Sequence, residues 1–181
     1  MLADFRKFVG CKILEYFLSH PTQKKYLNEL ARELAVSPRS IKIYCDLLEK
    51  DGIINREITG NVHLFSTNNN HYCVQEMNRA YIATLLAEHH IETIQQTCIS
   101  FAVYGSHASG LYDERSDLDL LIIGDEHQIN KDNLLNLQQT LGKEIHLTIL
   151  SLTKWETMKK NNDPFAKAIL QKHLLLAGAQ L

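Results

Sequence analysis

Apolar residues recur at helical spacing in the first third of the chain. Between positions 5 and 18 they fall mostly three or four residues apart, which predicts a helix with one buried face. The segment Tyr26–Ala35 repeats this spacing in a shorter helix. Ser37-Pro38 is typical of a helix start, an N-cap followed by proline, and this third helix extends to about Lys50. The pattern therefore predicts three amphipathic helices before Asp51.

Two β-prone runs follow the third helix. Ile53–Ile58 and Val62–Phe65 are rich in branched and aromatic residues, and Gly60-Asn61 between them is typical of a hairpin turn. A polar stretch, Thr67–Asn70, then precedes His71–Ile91, where the apolar positions predict a long helix. This helix would join the two halves of the chain, and its apolar face would either pair with its copy in a homodimer or pack internally.

In the second half of the chain the apolar pattern predicts alternating strands and helices. Phe101–Tyr104 and Leu120–Ile123 are continuous apolar runs typical of buried strands. A helix is predicted near Lys131–Leu141 and a further strand at Glu144–Leu150. Shorter helices begin near residues 151 and 163. The order predicts a second domain in which helices accompany a small sheet.

Two aspartates interrupt the apolar pattern at the start of the second of these strands. Asp117 and Asp119 are two residues apart and therefore point to the same side of a strand. A divalent cation between them would remove their mutual repulsion, and Mg²⁺ is commonly held by one or two carboxylates together with substrate phosphates. Gly105-Ser106, in a turn that opens a helix, would offer backbone N–H donors to those phosphates. This combination suggests nucleotidyl transfer, although the alternation by itself fits the solvent-facing side of an ordinary strand equally well.

The segment Phe101–Asp125, FAVYGSHASGLYDERSDLDLLIIGD, resembles the signature of the DNA polymerase beta-like nucleotidyltransferases, in particular their small stand-alone members. The resemblance implies a mixed sheet flanked by helices. It implies that Asp117 and Asp119 are catalytic ligands of Mg²⁺ or Mn²⁺. It also implies that a nucleoside triphosphate is bound. The residues expected to bind the nucleotide are Gly105, Ser106, His107 and Ser116.

The chain departs from this family pattern at two positions. Active members usually carry a third carboxylate on a later strand; alignment from Gly142 places His146 there, and imidazole suits Zn²⁺ and similar ions better than Mg²⁺. Glu144 lies two residues earlier on the same face and would serve as the third catalytic acid if the register slips by one pair. The plain alternatives are a solvent-facing histidine and a solvated acid. Ser109 stands where many small members have arginine, and His107 is expected to replace part of that charge.

Three helices followed by a hairpin resemble the winged helix-turn-helix domain of DNA-binding regulators. The resemblance implies that the third helix enters the major groove of double-stranded DNA, while Lys24 and Lys25 meet phosphates. Residues 1–66 hold ten Lys/Arg against eight Asp/Glu, a net charge of only +2, and these cations would equally be solvated side chains. The residues expected to contact DNA are Arg39, Ser40, Lys42, Tyr44 and Arg56.

These patterns together predict an α+β chain with a winged helix domain at 1–68, a linker helix at 69–97 and a nucleotidyltransferase-like domain at 98–181. The expected function is metal-dependent transfer of a nucleoside monophosphate from a triphosphate to an unknown acceptor. An alternative is a DNA-binding transcription regulator whose second domain binds nucleotide or dimerises without turnover. A third is an interaction protein, such as one half of a toxin-antitoxin pair.

Composition adds limits to this interpretation. The net charge of −2 over 181 residues implies no general attraction to nucleic acid or to anionic membranes. No apolar run approaches the roughly 18 residues that would span a bilayer, and charged residues near the start do not fit a signal peptide. The four cysteines are scattered without a Cys-x-x-Cys pair and read as reduced thiols. We therefore expect a cytoplasmic protein with no membrane partner.

Overall fold

The chain divides into two units, Met1–Tyr81 and Ile82–Leu181, and the first contains three helices, a three-stranded sheet and the first part of a longer helix among its described residues. The structure is a computed structural model that describes residues 5–60, 62–95, 97–125, 127 and 129–181. The elements of the first unit are α1 (Val9–Ser19), β1 (Lys24–Tyr26), α2 (Leu27–Leu34), α3 (Pro38–Lys50), β2 (Ile54–Thr59) and β3 (Val62–Thr67).

The third helix of the first unit begins at an N-cap that the local sequence provides. The Ser37 hydroxyl accepts a hydrogen bond from the Ser40 N–H at 3.1 Å, with Pro38 at the first helical position, so α3 has the predicted cap. Apolar faces of all three helices meet the sheet in one core. Its fully buried side chains include Ile13, Phe17, Leu30, Ile41, Ile54 and Phe65. The three predicted helices are therefore confirmed.

The small sheet has the order β1-β3-β2, and both pairings are antiparallel. The register from Ile54↔Thr67 to Thr59↔Val62 confirms the hairpin predicted from the two β-prone runs. Gly60, at φ +61°, lies in its turn, whereas Asn61 is outside the described residues. Strand β1 has only three residues and was not predicted, because no alternation can be read from so short a segment.

The boundary between the two units falls within α4 (Tyr72–Glu88), the long helix predicted at His71–Ile91. This helix ends earlier than expected. His90 takes a left-handed conformation at φ 52°, and a short 3₁₀ turn, Ile91–Ile94, follows it.

The second unit contains a mixed four-stranded sheet of order β6-β5-β4-β7, in which β5 and β6 are parallel and the other pairs antiparallel. This confirms the α+β class and the mixed sheet. The strands are β4 (Ser100–Tyr104), β5 (Leu118–Ile123), β6 (Ile145–Leu150) and β7 (Leu174–Gly178). The helices are α5 (Gly105–Ser109), α6 (Lys131–Leu141), α7 (Leu152–Lys160) and α8 (Pro164–Gln171).

The two central strands of this sheet are almost entirely buried, which explains their continuous apolar runs. One core cluster joins strands β5 and β6 to helices α7 and α8, and Trp155 is its largest member, 2% exposed. Asp119 is the one polar residue within β5, and it is half-buried. A buried strand therefore holds this carboxylate in a fixed place.

None of the helices in the described part of the chain is long and apolar enough to cross a membrane.

Candidate active site

Strand pairing brings the Gly105 turn beside Asp119. In the antiparallel β4–β5 pair, Tyr104 is the partner of Asp119, so the residue that follows β4 lies next to this carboxylate. Gly105 has φ +71°, and a β-carbon added there would collide with Asp119 Oδ2. Because of both the left-handed backbone and the close approach, only glycine fits this position without strain.

The loop that leads into β5 is tied down by its own hydrogen bonds. The Ser116 hydroxyl accepts from the Asp113 N–H at 2.9 Å and donates to Asp113 Oδ1 at 3.0 Å. These bonds, together with that from the Arg115 N–H, lower the pKa of the Asp113 carboxyl. The Ser116 hydroxyl is therefore engaged within the loop that leads to Asp117.

Lys143 holds the same loop from the other side. Its Nζ donates to the carbonyl oxygens of Glu114, Ser116 and Asp113 at 3.1, 3.3 and 3.5 Å. Burial lowers the pKa of the Lys143 ammonium, and the neighbouring Asp113, Glu114 and Asp117 oppose that shift. Sequence patterns carry no signal for this role, because the contacts are to backbone carbonyls and any loop would offer those.

Three carboxylates surround the imidazole of His146. The parallel β5–β6 register sets His146 directly beside Asp119, with His146 Nδ1 3.7 Å from Asp119 Oδ1. His146 Nε2 is 3.4 Å from Glu144 Oε1 and 3.9 Å from Asp117 Oδ2. One ligand atom from each of Asp117, Glu144 and His146 lies within 4.8 Å of the other two. The fold thus brings together Asp117, Asp119, Glu144 and His146 at one edge of the sheet.

Asp119 is the least exposed acid of this cluster, with 26% of its side chain accessible, against 43% for Asp117 and 68% for Glu144. Burial raises the pKa of the Asp119 carboxyl; His146 lowers it and Asp117 raises it further. An added cation would favour the charged form of both aspartates. Three carboxylates and an imidazole are a donor set that divalent cations bind, so the residues fit the metal site that the sequence predicted.

His107 does not take part in this cluster. Its side chain is fully buried, and its ring stacks on Tyr112 with the centroids 4.6 Å apart. Burial, helped by the charge of Lys143, lowers the pKa of His107 to about 4, so the ring is neutral at pH 7. The expectation that His107 supplies positive charge to a phosphate was wrong, because a buried neutral ring offers none.

We expect Lys143→Met to lower both stability and cation affinity. Three carbonyls would lose a charged donor, which we expect to cost about 1–2 kcal/mol of unfolding free energy in this half-buried setting. Loosening of the loop before Asp117 should weaken divalent-cation binding about 10–100-fold, the effect usual for groups that orient ligands. Thermal unfolding and calorimetric cation titration measure the two effects. Lys167→Met, at an exposed position on α8, is the control; equal cation affinity in both variants would contradict the role of Lys143.

A cavity of about 960 Å³ in the second unit lies away from the carboxylates. It is lined by Gly124 and Ser151, which follow the last residues of β5 and β6, and by Cys98, Asp125 and Leu152 among others. The carboxylates instead stand where these two parallel strands begin. Asp117 and Glu144 are largely exposed there, at 43% and 68% of their side chains, so the candidate site is open to solvent.

The residues of the first unit that were expected to contact DNA differ in their exposure. Arg39, Lys42 and Tyr44 are exposed on α3, with Ser40 half-buried. Arg56 is not available, since only 14% of its side chain is exposed and its guanidinium pairs with Asp46 and Glu49. The expectation that Arg56 meets a phosphate was wrong, because two acids of α3 neutralise it.

Lys24 and Lys25, the other cations expected at phosphates, are also paired. Lys24 Nζ lies 2.5 Å from Glu57 Oε1, and Lys25 pairs with Glu33. Much of the positive charge on this unit is therefore balanced locally.

One comparison with known proteins finds a match in the second half of the chain. No curated protein matches the chain. A solved structure described as the crystal structure of a toxin-antitoxin with AMP-PNP is similar at 18% identity and a TM-score of 0.33, covering 57% of this chain and 75% of that one. Residues 90–176 match the family model of the nucleotidyltransferase domain, a stretch that contains the glycine turn, the paired aspartates, Glu144 and His146. Residues 90–176 of this chain are thus similar to nucleotidyltransferase domains.

Proposed function

We propose that the second unit binds a nucleoside triphosphate together with a divalent cation and transfers the nucleoside monophosphate to an acceptor hydroxyl. The observation that carries this proposal is the contact between the Gly105 turn and Asp119, inside the segment that matches the nucleotidyltransferase domain. A triphosphate bound at that turn would therefore lie next to the carboxylate cluster.

Each residue of the cluster has a role in this proposal. Asp117, Asp119 and Glu144 would hold the cation, which when bound neutralises phosphate charge and polarises the reacting phosphoryl group. The half-buried Ser106 would donate its hydroxyl to a β- or γ-phosphate oxygen. The acceptor hydroxyl loses its proton to water as its oxygen forms a bond to the α-phosphorus, the bond from that phosphorus to the bridging oxygen breaks, and pyrophosphate leaves. The protein contributes position and charge rather than a covalent intermediate.

Glu144 supports turnover rather than binding alone. The β5–β6 register sets His146, and not Glu144, beside Asp119, so Glu144 would bring a third carboxylate to the cation from two residues earlier, where its Oε1 lies 3.4 Å from His146 Nε2. If turnover is absent, the same geometry leaves a domain that binds nucleotide as a signal, which is the alternative that the regulator hypothesis requires.

The test of the proposal is the cation dependence of nucleotide binding. ATP should bind the wild-type chain only when Mg²⁺, Mn²⁺ or Co²⁺ is present, and EDTA should reverse the binding in a calorimetric titration. Pyrophosphate release, followed in the presence of candidate acceptors, separates transfer from sensing. ATP binding that is equally strong with and without EDTA would refute the metal-dependent site.

The first unit supports a second proposal, a winged helix that binds double-stranded DNA. Its element order is helix, strand, two helices and a hairpin. Arg39 and Lys42 are exposed on the first turns of α3, where a recognition helix contacts bases. Ile43 and Leu47, each 50% exposed on the same helix, instead favour a protein partner.

Salt dependence decides between these partners. Arg39→Ala and Lys42→Ala should each weaken duplex binding and reduce the slope of log affinity against log salt by about 1 if the side chain neutralises one phosphate. Lys167→Ala, in the second unit, is the control and should leave the slope unchanged. If duplex binding by the wild type shows no salt sensitivity, the DNA-binding proposal fails and a protein-binding module is the alternative that is left.

A further inference from the structure

We propose that His146 is itself a ligand of the cation, so that the site selects first-row transition ions over Mg²⁺. The inference rests on the proposed function of the same cluster and adds the identity of its cation. Mg²⁺ was the first expectation from the sequence, and the arrangement around His146 argues for a different ion.

The place of His146 is fixed by the backbone. The parallel register runs from Leu118↔Ile145 through Asp119↔His146, with the Leu118 N–H bonded to the Glu144 carbonyl at 2.9 Å. Side chains of directly paired residues share one face of a sheet. The imidazole therefore stands beside Asp119, at the position where the family pattern calls for an acid.

Both nitrogens of this ring face carboxylate oxygens. The separations of 3.4, 3.7 and 3.9 Å are longer than hydrogen bonds, which are about 2.7–3.2 Å. They are close to the separation of about 3.4 Å between neighbouring ligand atoms at a tetrahedral ion with bonds of about 2.1 Å. The ring is half-exposed, with 52% of the side chain accessible, so it can rotate to bring either nitrogen onto a cation.

The ligand chemistry then favours transition ions. Mg²⁺ takes oxygen ligands in near-ideal octahedral geometry and gives up its waters reluctantly. Imidazole nitrogen suits Zn²⁺, Fe²⁺, Co²⁺ and Ni²⁺ much better. The three carboxylates still accept Mg²⁺, so we expect a preference and not an exclusion.

A different use of His146 would overturn the proposal. A protonated imidazolium among three carboxylates would balance their charge without any metal, and His146 would then compete with the cation instead of binding it. Removing the ring would in that case strengthen the binding of every divalent ion, whether or not the ion prefers nitrogen ligands.

The experiment compares Co²⁺ with Mg²⁺ in the full chain, by calorimetric titration of each ion alone. The variants are His146→Asp, which makes the site all-oxygen, and His146→Ala. The control is His90→Asn, which removes an exposed histidine 3.2 Å from Glu92 and keeps a residue that tolerates the left-handed backbone. The visible absorption of bound Co²⁺ reports nitrogen ligation without any turnover, and thermal unfolding checks that each variant is folded.

In the wild type and in His90→Asn we expect Co²⁺ to bind more tightly than Mg²⁺. In His146→Asp the Co²⁺-to-Mg²⁺ affinity ratio should fall at least tenfold, and the Co²⁺ spectrum should change. The comparison with His146→Asp is needed because most protein sites hold Co²⁺ more tightly than Mg²⁺. An unchanged ratio and spectrum, or tighter binding of both ions in His146→Ala, would overturn the proposal. ATP binding with Mg²⁺ would in those cases still stand, whereas failure to bind ATP with either ion would reject the proposed function itself.

Discussion

Asp119→Asn is expected to weaken ATP-dependent cation binding about 100- to 1,000-fold. Asp119 is the least exposed acid of the cluster, and it stands beside both the glycine turn and His146. The charge of one metal ligand contributes several kcal/mol to a bound cation, and each 1.4 kcal/mol is a factor of ten. Calorimetric titration of Mg²⁺ with ATP measures the loss, and any pyrophosphate release should fall with it.

The same substitution should leave the cation-free chain at least as stable as the wild type at pH 7. Burial raises the pKa of Asp119, so the folded state disfavours its charged form. Stability of the cation-free wild type should therefore fall as pH rises from about 4, the ordinary aspartate range, through the raised pKa. Asparagine has no charge to bury, and Asp119→Asn should lack this loss in thermal unfolding followed against pH.

Asp132→Asn, at an exposed position in the first turn of α6, is the matched control. It should leave ATP-dependent cation binding at the wild-type level. Equal cation affinity in the wild type and in Asp119→Asn would show that the carboxylate edge is not the metal site, and the enzymatic hypothesis would then fail.

Gly105→Ala should disrupt the site and destabilise the fold together. The backbone at φ +71° is left-handed, which costs an L-residue about 1–2 kcal/mol, and the new β-carbon would collide with Asp119 Oδ2. The carboxylate can escape only by turning away from the turn. We therefore expect cation affinity to fall at least tenfold, beyond the drop in melting temperature.

Gly142→Ala separates these two effects. Gly142 has a similar left-handed backbone at φ +61°, but nothing lies within 4 Å of an added β-carbon. Its replacement should lower the melting temperature by a similar backbone cost and leave cation affinity unchanged. Equal cation affinity in the two alanine variants would show that the approach of Gly105 to Asp119 has no functional meaning.

Local sequence predicted those elements whose signals are local. Helix α3 begins at its Ser37 cap and ends at Lys50 as expected, and α6 covers the predicted Lys131–Leu141. The N-cap chemistry and the 3.6-residue period act within a few residues, so they can be read without knowing the fold. The hairpin of β2 and β3 was predictable for the same reason.

Elements stabilised by distant partners were missed or misassigned. Strand β7 is a short apolar run whose strand character depends on pairing with β4 across the chain. Lys143 acts on carbonyls almost 30 residues away, and His107 is buried by a fold that its neighbours do not predict. No local pattern carries such information.

The sequence by itself predicted that Asp117 and Asp119 share one side, because of the two-residue period of a strand, and His146 does face both of them although Asp117 lies one residue before β5. It also determined that a glycine turn follows the preceding strand. Only the tertiary structure decided which residue of β6 stands beside Asp119, since the register of two parallel strands far apart in sequence is set by how the whole sheet packs. That register brought an imidazole among three carboxylates, and the choice of cation depends on it.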